Sequence, residues 1–418
     1  MRRLAALLAA ALVAGCGTRD HANPFDPANP ATRGLPANFA AFAGRGDVTL
    51  EWRAAPAPAL QGYELFRSLA PDTGFAPVSN LLPPTTSSFH DVGLLDGTDH
   101  YYRLHFVFDA GLSPRYASDV ATPGPLRPWV TDYDRITLER ITADGRRVVE
   151  DIAGAVSIAG GDMDVNRATG AVWTCDPFAG TLTIFDPSSG TLAHAANVLA
   201  SPVSIAVDAV DGGAWVGDDG RGEALRFHAD GSLDSPSVPL TDGPFGIAVD
   251  GFDRSVWVCE RYGSRVRHAA ADGTPLGTGP SFVVAPSRVA VDSATGDAWV
   301  SSFTRGTLLR LSSLGGRQDS LSSIASPLNL AMDPRRGRLW VTDPVAGRVV
   351  AVRRTGAIEF SVSGLPGAYD VAVDLDTGDA WVTAQDAGLV AHVSASGVIL
   401  RRLGGFQTPN AIALDPGP

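Results

Sequence analysis

The stretch SPVSIAVDAVDGGAWVGD, residues 201–218 of 418, decides how this chain folds. Its first apolar run, Ile205-Ala206-Val207, ends at Asp208, and a glycine-containing turn leads to a second apolar run around Trp215. Two short apolar runs joined by such a turn predict a β-hairpin, in which the Asp208 carboxylate accepts backbone N–H bonds of the turn. The pattern recurs along the chain, so this hairpin is one unit of a repeat.

Tryptophan sets the period of that repeat. Beyond residue 125, successive tryptophans are 41 to 44 residues apart, at Trp129, Trp173, Trp215, Trp257, Trp299, Trp340 and Trp381. Asn or Asp stands seven residues before six of them, at Asn166, Asp208, Asp250, Asp292, Asp333 and Asp374. With four strand-like pieces per unit, a period of about 40–45 residues is typical of a β-propeller blade. We therefore predict an all-β chain with a propeller over residues 126–418.

The two ends of the repeat array predict how the propeller closes. A proline-rich linker precedes Trp129, so the first unit lacks its innermost strand. The chain ends in Pro409–Asp415, which reads as an innermost strand with no tryptophan after it. We predict that this segment completes the first blade of a seven-bladed ring, because closure removes exposed strand edges.

These repeats resemble the NHL and YVTN-type propellers and, more loosely, virginiamycin B lyase and the gluconolactonase-like lactonases. The lyase resemblance implies a histidine near the mouth of the propeller, and no histidine of this chain matches it. The lactonase resemblance implies one Glu, two Asn and one Asp around a divalent cation. Only Asp162, Asn329 and Asp370 stand at plausible positions, with Glu260 farther out.

The first 34 residues predict an address at the cell envelope. Arg2 and Arg3 precede an apolar run that ends before Cys16, and the string LVAGC resembles the bacterial lipobox. We expect a signal peptide at 1–15, lipidation of Cys16, and an Asn/Pro-rich tether at 16–34 that buries nothing. Gly17 follows the cysteine instead of the Asp that retains some enterobacterial lipoproteins at the inner membrane, which favours the outer membrane.

Residues 35–125 predict a separate small β-sandwich. The segments VTLEW (48–52), GYELFR (62–67) and YYRLHFV (101–107) alternate between apolar and polar residues. This part resembles a fibronectin type III domain, with Trp52 on its second strand and LLDGTDHYYRL (94–104) at the corner before its sixth. His100 stands where that family usually has Tyr. The resemblance implies a spacer or binding module without catalysis.

Charge narrows the range of partners. The formal net charge is -12 and the isoelectric point is about 5.1, which argues against nucleic acid because phosphate backbones need clustered cations. We expect the membrane, through the lipid anchor, and an envelope or extracellular protein or polysaccharide as partners of a monomeric protein.

Residues that break the repeat are the best candidates for a binding site. The position one residue before each predicted apolar inner segment varies from unit to unit and is expected to face the central channel. Because structural positions repeat whereas sites deviate, we predict ligand contacts from its polar members, which are Asp162, Ser204, Arg288, Asn329 and Asp370.

A second position, three residues after each tryptophan, is mostly acidic. It carries Asp132, Asp176, Asp218, Glu260 and Asp343. Two interpretations stay open. The acids ring the axis and hold Ca²⁺ or Mg²⁺ through oxygen ligands, or each one caps its own turn.

The predicted function follows from the modular order and from the lack of a complete catalytic set. No zinc motif, phosphate loop or nucleophile elbow occurs in the sequence. We expect a surface-anchored, non-enzymatic binding or scaffold protein whose propeller is a protein- or glycan-interaction platform. The alternative is a divalent-cation-dependent lactonase- or lyase-like enzyme that uses the axial residues.

Overall fold

A computed structural model describes residues 23–124, 127–153, 161–187, 189–195, 198–277 and 281–415. The predicted signal peptide and Cys16 lie outside the described residues. The chain folds into two compact units, one built mainly from residues before 121 and one from residues after it. In the described part, no helix is both long and apolar enough to cross a membrane.

The N-terminal unit is built from two sheets. Their strands are β1 (Ala37–Ala43), β2 (Asp47–Arg53), β3 (Leu60–Ser68), β4 (Ala76–Pro77), β5 (Ser88–Val92), β6 (His100–Phe108) and β7 (Gly111–Ala121). The sheet orders are β1-β2-β5 and β4-β3-β6-β7. Trp52 of the first sheet packs against Tyr63 of the second, with ring centroids 5.5 Å apart. The Tyr102 hydroxyl donates to an Asp91 carboxylate oxygen at 2.9 Å, so the buried phenol keeps a partner.

The part of the predicted tether that the structure describes is folded rather than extended. Asn23, Asp26 and Asn29 each accept the backbone N–H two residues ahead, forming turns in front of the prolines. Phe25 packs edge-on against Phe106 of the sheet, with ring centroids 4.9 Å apart. The expectation that this segment buries nothing is therefore wrong for residues 23–34, because the Asn-Pro and Asp-Pro pairs close turns instead of extending the chain.

Seven antiparallel four-stranded sheets form the described part of the C-terminal unit. We number them in chain order of their tryptophans and give each from its innermost strand outward. Sheets 1 to 4 are β35 (Pro409–Asp415), β8 (Arg127–Asp132), β9 (Thr137–Ile141), β10 (Val148–Ala153); β11 (Met163–Val165), β12 (Val172–Asp176), β13 (Thr181–Asp186), β14 (Thr191–Ala195); β15 (Pro202–Val207), β16 (Ala214–Asp218), β17 (Glu223–Phe227), β18 (Leu233–Pro239); and β19 (Pro244–Val249), β20 (Val256–Glu260), β21 (Arg265–Ala269), β22 (Ser281–Phe282).

The remaining sheets follow the same order. Sheets 5 to 7 are β23 (Arg288–Asp292), β24 (Asp297–Ser302), β25 (Thr307–Leu311), β26 (Arg317–Leu321); β27 (Leu330–Asp333), β28 (Arg338–Asp343), β29 (Arg348–Arg353), β30 (Ile358–Ser363); and β31 (Ala368–Val373), β32 (Ala380–Ala384), β33 (Leu389–Val393), β34 (Ile399–Gly404). A 3-10 turn, Phe303–Arg305, links β24 to β25.

The pairing predicted for the C-terminal strand is present. Strand β35 pairs antiparallel with β8, with Ala413 opposite Trp129. Each innermost strand contacts the innermost strand of the next sheet, and β35 contacts both β31 and β11. The innermost strands of all seven sheets consequently surround one cavity.

The tryptophans fill the space between sheets, as their period predicts. Six of the seven are at most 1% exposed, and Trp381 is 3% exposed. Trp215, for example, belongs to one buried cluster with Ala206 of its own sheet and Ile247 of the next. The predicted turn caps are also present: Asp208 Oδ1 accepts the Val210 N–H at 2.9 Å.

A hydroxyl two residues after the tryptophan ties neighbouring sheets together. Thr383 Oγ1 accepts the Asp370 N–H of its own sheet at 2.9 Å and donates to the Asn410 carbonyl of the next at 2.8 Å. The same two bonds are made by Ser301, with Arg288 and Leu328, and by Thr342, with Asn329 and Tyr369. This hydroxyl latch fixes the backbone of three of the predicted axial residues.

We predict that Thr383→Val lowers the free energy of unfolding by about 1–3 kcal/mol, because it leaves a buried N–H and a buried carbonyl without a partner. Thr383→Ser, which keeps the hydroxyl, is the matched control and loses less. Thermal unfolding followed by tryptophan fluorescence checks this, and a loss in Thr383→Val no larger than the loss in Thr383→Ser would contradict the stabilising role of the latch.

Candidate functional site

The cavity at the axis has a volume of about 320 Å³. Four of the five predicted ligand residues line it, namely Asp162, Arg288, Asn329 and Asp370. They stand where the innermost strands of their sheets begin. Most of the other lining residues are apolar residues of the innermost strands, such as Ile205.

Arg288 is held in place from both neighbouring sheets. Its Nε donates to Asn329 Oδ1 at 2.8 Å, and its Nη1 donates to the Phe245 carbonyl. The guanidinium carbon also lies 4.9 Å from the centre of the Phe245 ring. Asn329 in turn donates from Nδ2 to the Tyr369 carbonyl at 2.8 Å. Two of the five guanidinium N–H groups are thus used, and Arg288 is one of the residues that line the cavity.

Asp162 and Asp370 belong to sheets 2 and 7, which lie on either side of sheet 1, whereas Arg288 belongs to sheet 5. Asp370 Oδ1 accepts the Val371 N–H at 2.8 Å, and its Oδ2 accepts the Ile412 N–H of the next sheet at 2.9 Å. Asp162 Oδ1 accepts the Met163 N–H at 3.0 Å. Between them, in sheet 1, the corresponding residue is Ala411, which is buried. Each carboxylate oxygen keeps a lone pair for a further donor.

The charged groups of the cavity shift one another's pKa values but do not neutralise one another completely. Burial, together with the negative charge of Asp162, raises the pKa of the Asp370 carboxyl to about 7. Burial also raises the pKa of Asp162, although the Arg288 charge opposes the shift. Burial disfavours the cation of Arg288, but Asp162 and Asp370 outweigh this and raise its pKa. The mouth of the cavity therefore presents one guanidinium, in sheet 5, and two carboxyls with raised pKa values, in sheets 2 and 7.

Ser204 is the predicted ligand residue that does not line the cavity. It is 0% exposed and, like Asp370 in β31, is the third residue of its strand. In sheet 3 the latch position is Gly217, and a Cβ there would lie 2.5 Å from Ser204 Oγ. Ser204 thus occupies the space that a latch side chain would fill, and it is not among the residues that line the cavity.

Asp164 also lines the cavity, and the sequence analysis missed it. Its Oδ1 accepts the Val165 N–H and its Oδ2 accepts the Val207 N–H of the next sheet, both at 2.8 Å. Burial raises its pKa to about 6, against a lowering by the charge of Arg167. The signal was in the sequence, because every other innermost strand has Ala at this position, as in Ala206.

The acids three residues after each tryptophan have local roles. All are fully buried, and they accept N–H bonds from their own turn and from the loop that enters the innermost strand. Asp218 accepts the N–H groups of Ala200 at 2.7 Å, Ser201 at 2.8 Å and Gly220 at 3.1 Å. The corresponding acids are Asp132, Asp176, Glu260 and Asp343, bonded in the same manner to loop or turn groups. The structure does not bring these acids together.

No group of three or more His, Cys, Asp or Glu side chains among the described residues is placed to hold a metal ion. The histidines that the structure describes in detail lie away from the cavity. His268 and His392 stack on Trp257 and Trp381, with ring centroids 3.9 and 4.2 Å apart. Cys175 and Cys259 are buried and unpaired, and burial raises the pKa of the Cys175 thiol to about 12. These groups serve packing.

Apolar side chains are exposed on the turns that follow the second strands. Phe178, Tyr262 and Val345 are 79%, 75% and 77% exposed. Since the second strand ends beside the start of the innermost strand, as Asp218 does beside Pro202, these turns lie at the same end of their sheets as Arg288 and Asp370. We call Phe178, Tyr262 and Val345 the rim.

Comparison with known proteins identifies the fold and nothing finer. No family model matches the chain, and no curated protein matches it. Among solved structures, a streptogramin B lyase is similar at 18% identity, with a TM-score of 0.51 over 60% of this chain and 86% of that one. A functionally unknown protein from Desulfotomaculum acetoxidans is similar at 14% identity, with a TM-score of 0.59 over 70% of this chain and 99% of that one. The C-terminal unit is a β-propeller.

We predict that the effect of Asp164→Ala on the free energy of unfolding is about 2 kcal/mol more favourable at pH 8 than at pH 4.5, whatever the lost hydrogen bonds cost at both pH values. The Asp164 carboxyl has a raised pKa of about 6 in the folded protein, against an ordinary value of 3.8. Above pH 6 the folded state therefore holds a charge that the unfolded state solvates better, and wild-type stability falls as the pH rises from about 4 to 6. Alanine removes this cost.

Unfolding in urea at both pH values measures the difference between Asp164→Ala and wild type. The control is Asp376→Asn on an exposed turn, which should shift stability equally at both pH values. If the stability of Asp164→Ala relative to wild type falls as the pH rises from 4.5 to 8, the assignment of a raised pKa to Asp164 is contradicted.

Proposed function

We propose that this protein is a lipid-anchored, non-enzymatic binding protein that recognises its ligand at the axial mouth of the propeller. We define the mouth as Asp162, Arg288, Asn329 and Asp370. The observation that carries the proposal is that the mouth brings a guanidinium and two carboxyls to one cavity, and that no salt bridge joins them in the described part of the chain. Such a site suits a small ligand with both a positive and a negative group.

The finer architecture belongs to the same proposal. The N-terminal unit is a fibronectin type III-like spacer, supported by its seven strands in sheets of three and four. The propeller has seven blades, and its C-terminal strand closes the ring. The antiparallel pairing of β35 with β8 and the contacts of β35 with β31 and β11 support this closure.

Binding fits the mouth better than catalysis does. Arg288 is fixed by Asn329 and Phe245, and the Asp370 carboxylate by two backbone N–H groups, so the groups are preorganised at little further entropic cost. The four described residues that form the mouth include no hydroxyl, thiol or amine nucleophile beside a base. The rim surrounds the mouth with exposed apolar side chains, which supports a larger partner, a protein or a glycan, docking over the same face.

We predict that the protein binds L-norleucine, a zwitterion with an apolar side chain, and that Arg288→Gln weakens this binding at least tenfold. The guanidinium pairs with the ligand carboxylate, and charge-assisted bonds are worth about 1.5–3 kcal/mol. Isothermal titration calorimetry at pH 8 measures the affinity. Arg335→Gln, on an exposed turn, is the matched control and should bind like wild type.

The affinity should also rise about tenfold between pH 5.5 and pH 8, since the Asp370 carboxyl must lose its proton to pair with the ligand ammonium. Affinity that falls over this range would contradict the proposed pairing. Stabilisation by millimolar Ca²⁺ or Mg²⁺ that disappears in Asp370→Asn, together with lactone turnover, would favour the cation-dependent enzyme instead.

The lipid anchor gives a separate prediction. Wild-type protein expressed with its own N-terminus should partition into the detergent phase of Triton X-114, and Cys16→Ser should move to the aqueous phase because it has no acyl chains. Cys175→Ser, at a buried cysteine of the propeller, is the control and should stay in the detergent phase. Detergent partitioning of Cys16→Ser would rule out lipidation at this residue.

A further inference from the structure

Asp164 occupies a position of the innermost strand at which every other unit of the repeat has the same residue. The other innermost strands have alanine there, at Ala206, Ala248, Ala290, Ala331, Ala372 and Ala413. Alanine suits this position because the innermost strands crowd together, as the packing of Ala206 against Ile247 of the next sheet illustrates. A carboxylate here is not required by the fold, since six sheets form without one.

Asp164 and Asp162 face the cavity from the same side of one strand. They are two residues apart, and side chains at such positions share a face. Both carboxylates point toward the next sheet, where Asp162 Oδ2 accepts the Ile205 N–H at 3.4 Å and Asp164 Oδ2 accepts the Val207 N–H at 2.8 Å. With a strand rise of about 3.3 Å per residue, the two carboxylates stand about 7 Å apart along the cavity.

The charges of the cavity leave room for a second cation. Three carboxyls line it, those of Asp162, Asp164 and Asp370, against the guanidinium of Arg288 at the mouth. Arg167 also lines the cavity, but its side chain is exposed and, in the described part of the chain, it forms no ion pair with Asp164. Between the two acidic levels the wall is apolar, with residues such as Ala206 and Ile205.

We propose that Asp164 is a subsite for a second ammonium group and that the cavity takes a small diamino acid of the lysine type. The ligand carboxylate lies on Arg288, its α-ammonium lies between Asp162 and Asp370, and its side-chain ammonium reaches Asp164. A chain of four methylene groups spans about 6 Å by standard bond lengths, which matches the separation of the two levels. This inference rests on the zwitterion site proposed above and adds its specificity.

The alternative is that Asp164 only joins strand β11 to β15 through the Val207 N–H. Asp164→Asn separates the two roles, because the amide oxygen can still accept that hydrogen bond whereas the negative charge is lost. A role limited to joining the strands would leave ligand preference unchanged in this variant. A cation subsite would lose its preference for the second ammonium group.

Titration calorimetry of the full chain at pH 8 with L-lysine, L-norleucine and 1,5-diaminopentane tests the proposal. We expect wild type to bind lysine at least tenfold more tightly than norleucine, and Asp164→Asn to bind lysine no more tightly than norleucine. Diaminopentane, which lacks the carboxylate, should bind more weakly than lysine and should not respond to Arg288→Gln. Asp376→Asn, at an exposed turn, is the charge-matched control and should keep the wild-type preference.

The outcomes separate the two proposals. Equal affinities of wild type for lysine and norleucine would overturn the second subsite and leave the zwitterion site standing. Binding of none of the amino acids would overturn the zwitterion site itself. If Arg167→Gln weakens lysine binding, Arg167 supports the ligand and the assignment of Asp164 as the partner of the side-chain ammonium is wrong; unchanged or tighter binding supports it.

Discussion

Crowding of the innermost strands is the constraint on which the propeller depends. Seven strands surround one narrow cavity, and each must pack its flank against the next, as Ala206 packs with Ile247 and Trp215. Small residues are therefore repeated on the side that faces the neighbouring sheet, and the large indoles lie farther out, between sheets. A polar side chain at an innermost position has only the cavity available to it, unless it can bond to the next strand. Residues that deviate from the repeat are thus concentrated in the cavity.

Apart from the Arg288–Asn329 hydrogen bond, the polar groups near this cavity are bonded to backbone groups rather than to one another. The hydroxyl latch binds a backbone N–H of its own sheet and a carbonyl of the next, and Asp370 and Asp164 bind N–H groups across the same boundary. Buried polar groups need such partners because an unpaired one costs about 1–3 kcal/mol. Stability and site geometry therefore have a common origin, since the bonds that join the sheets also orient the carboxylates.

The sequence predicted the fold well because a propeller is a periodic structure. The spacing of the tryptophans and the lone strand at Pro409–Asp415 were sufficient to predict the sheets and the pairing of β35 with β8. Deviation from the repeat also found four cavity residues. Ser204 does not line the cavity, because Gly217, its partner on the neighbouring strand of the same hairpin, has no side chain and leaves a space that Ser204 fills. The prediction did not include Asp164, because it considered only the position before the innermost segment and the acidic position after the tryptophan.

The tether shows a different limit of sequence interpretation. Proline restricts the residue before it to extended or turn conformations. Which of the two conformations forms depends on the group with which the Asn or Asp side chain makes a hydrogen bond. In residues 23–34 those side chains accept N–H groups ahead of them, and Phe25 finds an aromatic neighbour in Phe106. Composition alone cannot choose between these states, because the choice depends on an apolar surface elsewhere in the chain.

The mouth of the cavity shows how a binding site can keep charge available inside a protein. The negative charge of Asp370 helps to raise the pKa of Arg288, and the positive charge of Arg288 opposes the rise in the pKa of Asp370. The two side chains act on each other at a distance, without the direct contact that would occupy both of them. In a direct buried ion pair, each charge would already be compensated by the other, and a ligand would have to break the pair at a cost of several kcal/mol. Separated charges fixed by neutral partners avoid that cost. The hydrogen bonds that Arg288 donates to Asn329 and to the Phe245 carbonyl therefore hold the guanidinium in position and leave its charge incompletely compensated. In this state a dipolar ligand gains the most binding free energy when it enters the cavity.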